Sequence, residues 1–257
     1  MKIIFHEKYY NSNYAHDPAA AAGRLDSIMQ VIEANSEDYE VIIPEGAARE
    51  DILRAHSERH YMNIKDDTLL FEMSALAAGG SILAAEEGYN GNPAFAVIRP
   101  PGHHASSDSC WGFCYFNNMS VSLLKLFSEG KIKSAFVLDF DLHTGDGNIN
   151  ILESRDDGLR VDILNPISND REGYIKEVED HMKFLDGIDI FAASAGFDQG
   201  INDWGNLLNC EDYLKIGELM RDYSNEKCMG RRYALLEGGY YHDDLGKNVD
   251  AFCQGFK

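Results

Sequence analysis

The chain has 257 residues, of which 43 are Asp or Glu and 23 are Lys or Arg, for a formal net charge of −20. Such acidity repels phosphate backbones and argues against direct nucleic-acid binding, while a hydrophobic fraction of 44% is that of an ordinary globular protein. No apolar run approaches a bilayer span, and Met1-Lys2-Ile3-Ile4-Phe5 turns polar too soon for a signal peptide, so no membrane association is expected.

Seven short apolar runs read as strands in chain order: Lys2–Phe5, Glu40–Ile43, Phe95–Ile98, Ala135–Leu138, Val161–Leu164, Asp189–Ala193 and Tyr233–Leu236. They are continuous rather than alternating, as expected of strands covered on both faces. Between them, Arg24–Ala34, Leu69–Glu87, Met119–Phe127, Tyr174–Leu185 and Asp212–Tyr223 carry apolar residues at helical spacing. Strand and helix patterns in alternation imply βαβ units, hence a mostly parallel sheet with helices on both faces. No linker, low-complexity tract or repeat divides the chain, and residues 1–257 read as one domain. The five cysteines (Cys110, Cys114, Cys210, Cys228, Cys253) are scattered, which predicts no disulfide framework and a reducing, cytoplasmic setting. Cys110-x-x-x-Cys114 could be half of a zinc site, but no second Cys pair accompanies it.

Polar residues recur just after four of the strand runs. His103 and His104 follow Phe95–Ile98; Asp139, Asp141 and His143 follow Ala135–Leu138; Asp198 follows Asp189–Ala193; Tyr240 follows Tyr233–Leu236. Open α/β sheets form their sites at the carboxyl ends of strands. Gly196 and the pair Gly238-Gly239 suit tight exits there. Asp141, His143 and Asp198 form an oxygen, nitrogen, oxygen ligand set that leaves coordination positions open, as a catalytic zinc requires. The tandem histidines supply a general base and acid, with Asp139 and Asp146 as orienting partners. Tyr240 offers a hydroxyl for an oxyanion. Together these point to metal-assisted hydrolysis of an amide.

Long motifs then carry a resemblance. Arg99-Pro100-Pro101-Gly102-His103-His104-Ala105, Gly112-Phe113-Cys114-Tyr115-Phe116-Asn117-Asn118, Asp139-x-Asp141-x-His143-x-Gly145-Asp146-Gly147, Ser194-Ala195-Gly196-Phe197-Asp198 and Glu237-Gly238-Gly239-Tyr240 stand in the order of the histone deacetylase and acetylpolyamine amidohydrolase family. His16-Asp17-Pro18 with Arg24 and Leu25 is similar to that family's N-terminal segment. The resemblance implies the arginase–deacetylase fold, a three-layer α/β/α sandwich around an eight-stranded parallel sheet, one strand more than the apolar runs supply. It implies zinc on Asp141, His143 and Asp198, proton transfer by His104 with Asp146, and an electrostatic role for His103 with Asp139. Tyr240 would polarise the acyl carbonyl. Gly102, Phe113, Trp204 and Gly238 would contact the substrate, and Arg24 would sit behind the site near an internal acetate path. Potassium is implied at Asp139, Asp141 and His143, with Ile163 and Leu164 adding carbonyls.

The implied activity is a zinc-dependent hydrolase removing acetyl or another short acyl group from an acylated amine: acetyl-lysine, an acetylpolyamine or a small metabolite. An arginase-like ureohydrolase and a non-catalytic acyl-ligand binder are the alternatives. Thr144 replaces a second His of the relatives and is expected outside the metal shell. The segments after Tyr61 and Leu164 are short, which predicts a wide, shallow entrance. The dimer that polyamine deacetylases build through an insertion there is not expected, so the chain reads as a monomer or weak oligomer. Trp204 falls where polyamine-selective relatives carry a carboxylate, with Asp203 adjacent. The acidity could draw cationic substrates, though high solubility accounts for it as well. His6, His16, His56, His60, His181 and His242 read as capping, packing or surface residues.

Overall fold

The computed structural model describes residues 1–257. Its elements run β1 (Lys2–Ile4), α1 (Asp26–Ala34), β2 (Glu40–Ile42), α2 (Arg49–Ile52), α3 (Glu58–Lys65), α4 (Thr68–Tyr89), β3 (Ala94–Ala96), α5 (Asn118–Ser128), β4 (Ser134–Asp139), α6 (Asp146–Leu152), β5 (Arg160–Leu164), α7 (Arg171–Phe184), β6 (Ile190–Ala195), α8 (Cys210–Cys228), β7 (Arg232–Leu236) and α9 (His242–Phe256). All strands pair in parallel in the order β2-β1-β3-β7-β6-β4-β5. The four central strands, β3, β7, β6 and β4, are buried along their whole length, and the edge strands β2 and β5 are not. Four of the seven runs thus became fully buried inner strands, as two-sided burial demands, whereas Glu40–Ile43 and Val161–Leu164 became partly exposed edges, contrary to the expectation of cover on both faces.

The sheet has seven strands, not eight. After β5 only residues 165–170 intervene before α7. They hold Pro166, which lacks a ladder donor, and Asp170, whose side chain caps α7 by accepting from Gly173 N at 2.8 Å. The Ile167 and Ser168 amides donate to the Glu177 carboxylate rather than to a neighbouring strand.

Helices cover both faces: α4 and α5 pack together on one, with α4 against β1, β3 and β7, while α1, α8 and α9 pack together on the other. By length and composition α4 is apolar enough to cross a membrane, contrary to the expectation that no run would be. Its packing is that of a core helix. Sequence periodicity missed α9. Leu245, Val249, Phe252, Cys253 and Phe256 do recur at helical spacing along its buried side, but Gly246 and Gly255 interrupt the pattern. Those glycines serve contact rather than helix propensity. A Cβ on Gly255 would stand 2.2 Å from Leu214 O, and one on Gly217 2.2 Å from Phe252 O, so α8 and α9 touch backbone to backbone.

Gly217→Ala should therefore push the two helices apart and cost about 1–3 kcal/mol, the range for overpacking. The urea midpoint measures it; an unchanged midpoint would show that the contact yields freely.

Candidate active site

The four polar segments follow β3, β4, β6 and β7, which are the four adjacent strands at the centre of the sheet. Neighbouring strands lie about 4.8 Å apart, so their exits converge on one patch. At the end of β4, Phe140 turns into the core, with ring centroids 5.3–6.1 Å from Phe197, Tyr213 and Phe252. Asp139 and Asp141 take the other side, as alternation dictates.

Asp141, His143 and Asp198 present ligand atoms that all lie within 4.8 Å of one another. Main-chain amides hold the carboxylates. Asp141 accepts from His143 N and Gly238 N, both at 2.9 Å, and Asp198 from Leu142 N at 2.9 Å. His143 Nδ1 is 3.1 Å from Asp141 Oδ1 and 3.2 Å from Asp198 Oδ2, yet only the first contact is a hydrogen bond. Asp198 Oδ2 is therefore buried without a partner. The nearby carboxylates, Asp141 first and then Asp198, push the His143 imidazole up to about 10 against the effect of burial. The donor set and the orphaned oxygen both suit a divalent metal. Glycine is required around it: a Cβ on Gly196 would lie 2.1 Å from Asp141 Oδ2, and one on Gly238 2.5 Å from the same atom and 2.8 Å from Asp198 Oδ2.

The tandem histidines are buried, with ring centroids 4.0 Å apart, and have opposite environments. His103 Nδ1 meets Asp139 Oδ2 at 3.2 Å, and Asn148 Nδ2 donates to the same oxygen at 3.1 Å. Burial alone would lower the His103 pKa, but Asp141, Asp139 and Glu237 outweigh it and raise the ring well above its ordinary value. His104 Nδ1 meets Asp146 Oδ1 at 2.6 Å. Burial first, then the His103 charge, lower His104 to about 4 against the pull of Asp146. Tyr240 stays a phenol: burial, then Asp141 and Asp198, raise it over the opposing Arg24. Arg24 sits behind it, donating to Gly239 O at 2.9 Å and Glu237 O at 2.5 Å.

A cavity of ≈ 110 Å³ opens on these groups, lined by His103, His104, His143, Tyr240, Phe113 and Trp204, together with Pro101, Trp111 and Gly112. It is small and largely aromatic-walled. Trp204 is at the rim and half exposed. Gly102 and Gly238, expected to contact the substrate, do not line the cavity. Gly102 faces Asn118 and gives its N–H to Glu237 Oε2 at 2.7 Å, and Gly238 backs the two ligand carboxylates. Asp203 does not face the cavity as a free carboxylate; its Oδ2 accepts from Tyr240 N at 2.6 Å and Tyr241 N at 2.7 Å. Thr144 is exposed. Strand pairing sets Ile163 and Leu164 beside Val137 and Leu138, just before Asp139. Of the remaining histidines, His6 caps a 3-10 turn, His181 stacks on Phe136, and His56 accepts from Asn117 N at 2.8 Å.

Three residues escaped the sequence reading. Trp111 donates from Nε1 to Asp146 Oδ2 at 2.9 Å, Asn148 ties Asp139 to Ser194, and buried Glu237 accepts from Gly102 N and His103 N. Glu237 lay inside a quoted motif, but only its burial reveals the role. Cys114 groups with His103 and Glu237 rather than with Cys110.

A family model described as histone deacetylase domain matches residues 19–174. A probable deacetylase of Archaeoglobus fulgidus is 28% identical, over 93% of this chain and 80% of that protein. Another, from Methanothermobacter thermautotrophicus, is 27% identical over 98% of this chain and 90% of that protein. A histone deacetylase-like amidohydrolase of Pseudomonas aeruginosa is 30% identical over 76% of this chain and 64% of its own length. The crystal structure of an HDA15 HD domain superposes with a TM-score of 0.83 over 100% of this chain and 90% of that one, at 19% identity, and so shares its fold.

Gly238→Ala should drive a methyl group into Asp141 and Asp198 and weaken divalent-metal binding by roughly 10–100-fold, as loss of a ligand's support does. Metal retained per chain after dialysis, with circular dichroism as the folding check, measures it; full retention would show the carboxylates free to shift.

Proposed function

The chain belongs to the histone deacetylase family of hydrolases, and from that premise we propose that it is a zinc-dependent deacetylase that releases acetate from an acylated amine. The observation that carries the reading is the convergence of Asp141, His143 and Asp198 beside a cavity that also exposes His103, His104 and Tyr240. A zinc ion held by those three ligands would supply Lewis-acid polarisation of the acyl carbonyl and a lowered pKa for its water.

The protein's own groups supply the rest. His104, unprotonated at neutral pH and oriented by Asp146, takes the proton from the attacking water. The Tyr240 hydroxyl donates to the carbonyl oxygen as it gains charge. His103, held as a cation by Asp139 and Asp141, stabilises that charge at close range, and one of the two histidines returns a proton to the departing amine. Phe113, whose ring meets Tyr240 edge-on at 6.0 Å, and Trp204 enclose the apolar chain beside the amide. Potassium at Asp139, Asp141 and His143, with the main chain of Ile163 and Leu164, belongs to the same proposal, supported by the β4–β5 pairing.

On a fluorogenic acetyl-lysine, His104→Ala should lower kcat by roughly 10²–10⁴-fold and Tyr240→Phe by roughly 10²–10³-fold. Activity surviving both changes rejects these roles. Stripping metal with a chelator should abolish turnover and added zinc restore it; turnover in the stripped protein rejects metal dependence. Acetylputrescine, acetylspermidine and acetyl-lysine peptides, compared by kcat/KM, identify the amine.

A further inference from the structure

We propose that Trp111 and Trp204 are positioning residues for this reaction, Trp111 fixing His104 and Trp204 fixing Tyr240. The inference rests on the deacetylase reading above and goes beyond it.

The chain has two tryptophans, and both line the cavity. They are 55% and 52% exposed, so neither is a core residue. Each nevertheless lies on a side chain that acts on the substrate, Trp111 on His104 and Trp204 on Tyr240. The Trp111 ring covers His104, with centroids 3.9 Å apart and planes 32° apart. Its Nε1–H donates to Asp146 Oδ2 at 2.9 Å, while Oδ1 of the same carboxylate meets His104 Nδ1 at 2.6 Å. The Asp146 side chain is 49% exposed, and the indole bond helps to keep it from swinging into water. Trp111 thus holds His104 twice, by its face and through the shared carboxylate. Successive left-handed residues, Gly112 at φ 58° and Phe113 at φ 66°, turn the chain immediately after the indole. Left-handed backbone at a bulky residue is strained, and such strain persists where the surroundings enforce it.

Trp204 does the equivalent for Tyr240. The two rings stack with centroids 4.2 Å apart and planes 27° apart, and the Arg24 guanidinium lies 5.3 Å from the centroid of the Tyr240 ring. Asp203, next in the chain, ties down the Tyr240 main chain. Trp204 also meets the His143 ring edge-on at 6.0 Å. The physical need is plain. Both indoles stand on connecting segments, Trp111 between β3 and α5 and Trp204 between β6 and α8, and a catalytic side chain free to rotate loses rate steeply with small misplacement.

The test uses the zinc-loaded full chain on the acetyl-lysine substrate. Trp111→Leu and Trp204→Leu should each lower kcat by roughly tenfold to a hundredfold, the scale of a misplaced catalytic group, with KM little changed. Trp204→Phe, which keeps a stacking face, should recover most of the loss. Trp111→Phe should recover only part, because it cannot donate to Asp146. A rise in KM with kcat intact would make the indoles substrate contacts and overturn the proposal, as would unchanged kinetics in both Leu variants. A second readout needs no turnover. Trp204→Phe and Trp111→Phe each leave one indole as a fluorophore. His104→Ala should alter the emission of Trp111 alone, and Tyr240→Ala that of Trp204 alone; emission that ignores its partner overturns the pairing. A wild-type protein that hydrolyses no acetyl amide overturns the deacetylase reading instead, and the crossed emission then still decides which side chain each indole holds.

Discussion

Negative charge buried at the end of the sheet is the constraint around which this molecule is built. Asp139, Asp198 and Glu237 are fully buried, and Asp141 nearly so. Ionised carboxylates in such surroundings are costly unless something compensates them. Main-chain amides of Leu142, His143, Gly238, Gly102 and His103 aim at them, and the His103 and His143 imidazoles lie beside them. Even so, Asp198 Oδ2 and Glu237 Oε1 lack partners. Acceptors thus outnumber donors, an arrangement that suits a cation. It also explains the glycines: only a residue without Cβ lets backbone N–H groups approach Asp141 from Gly238, or Gly196 pass beside it.

The same field divides two chemically identical neighbours. His103 faces Asp139 and Asp141 and is held as a cation, whereas His104 faces one half-exposed carboxylate, the His103 charge and an indole, and is held neutral. Opposed environments acting on like groups are how a single fold assigns acid and base roles. The Tyr240 hydroxyl, kept protonated by burial and then by the carboxylates nearby, completes a site in which each group's charge state follows from its surroundings. Strength of support differs among these groups. Asp141 and Asp198 are buried and held by main-chain amides, while the exposed Asp146 and the half-buried Tyr240 draw on exposed indoles.

Several features were legible because they follow from local chemistry. Seven apolar runs became seven strands, since a run of residues such as Ala135-Phe136-Val137-Leu138 has only a doubly covered sheet in which to hide. The eighth strand inferred by resemblance is absent: the sheet ends at β2 on one side and β5 on the other. Helix α9 stayed hidden behind Gly246 and Gly255, whose meaning lies in a partner helix rather than in their own propensity. Trp111 was overlooked for a related reason, as its contact with Asp146 spans 35 residues. The aromatic closure of the mouth was likewise invisible, because loop length alone says nothing of what side chains fill the gap.

By itself the amino-acid sequence determined the kinds of atoms available: hard and borderline ligands in Asp141, His143 and Asp198, an imidazole pair, a phenol, and the strand runs that carry them. Tertiary structure alone decided that β3, β7, β6 and β4 stand side by side, so that groups as far apart in the chain as His103 and Tyr240 share one small cavity. It also decided that Gly102 and Gly238 buttress rather than line that cavity, and that an indole covers His104. The reason is physical. Donor chemistry belongs to each side chain, whereas strand order, burial and the charge state burial imposes belong to contacts between residues distant in sequence.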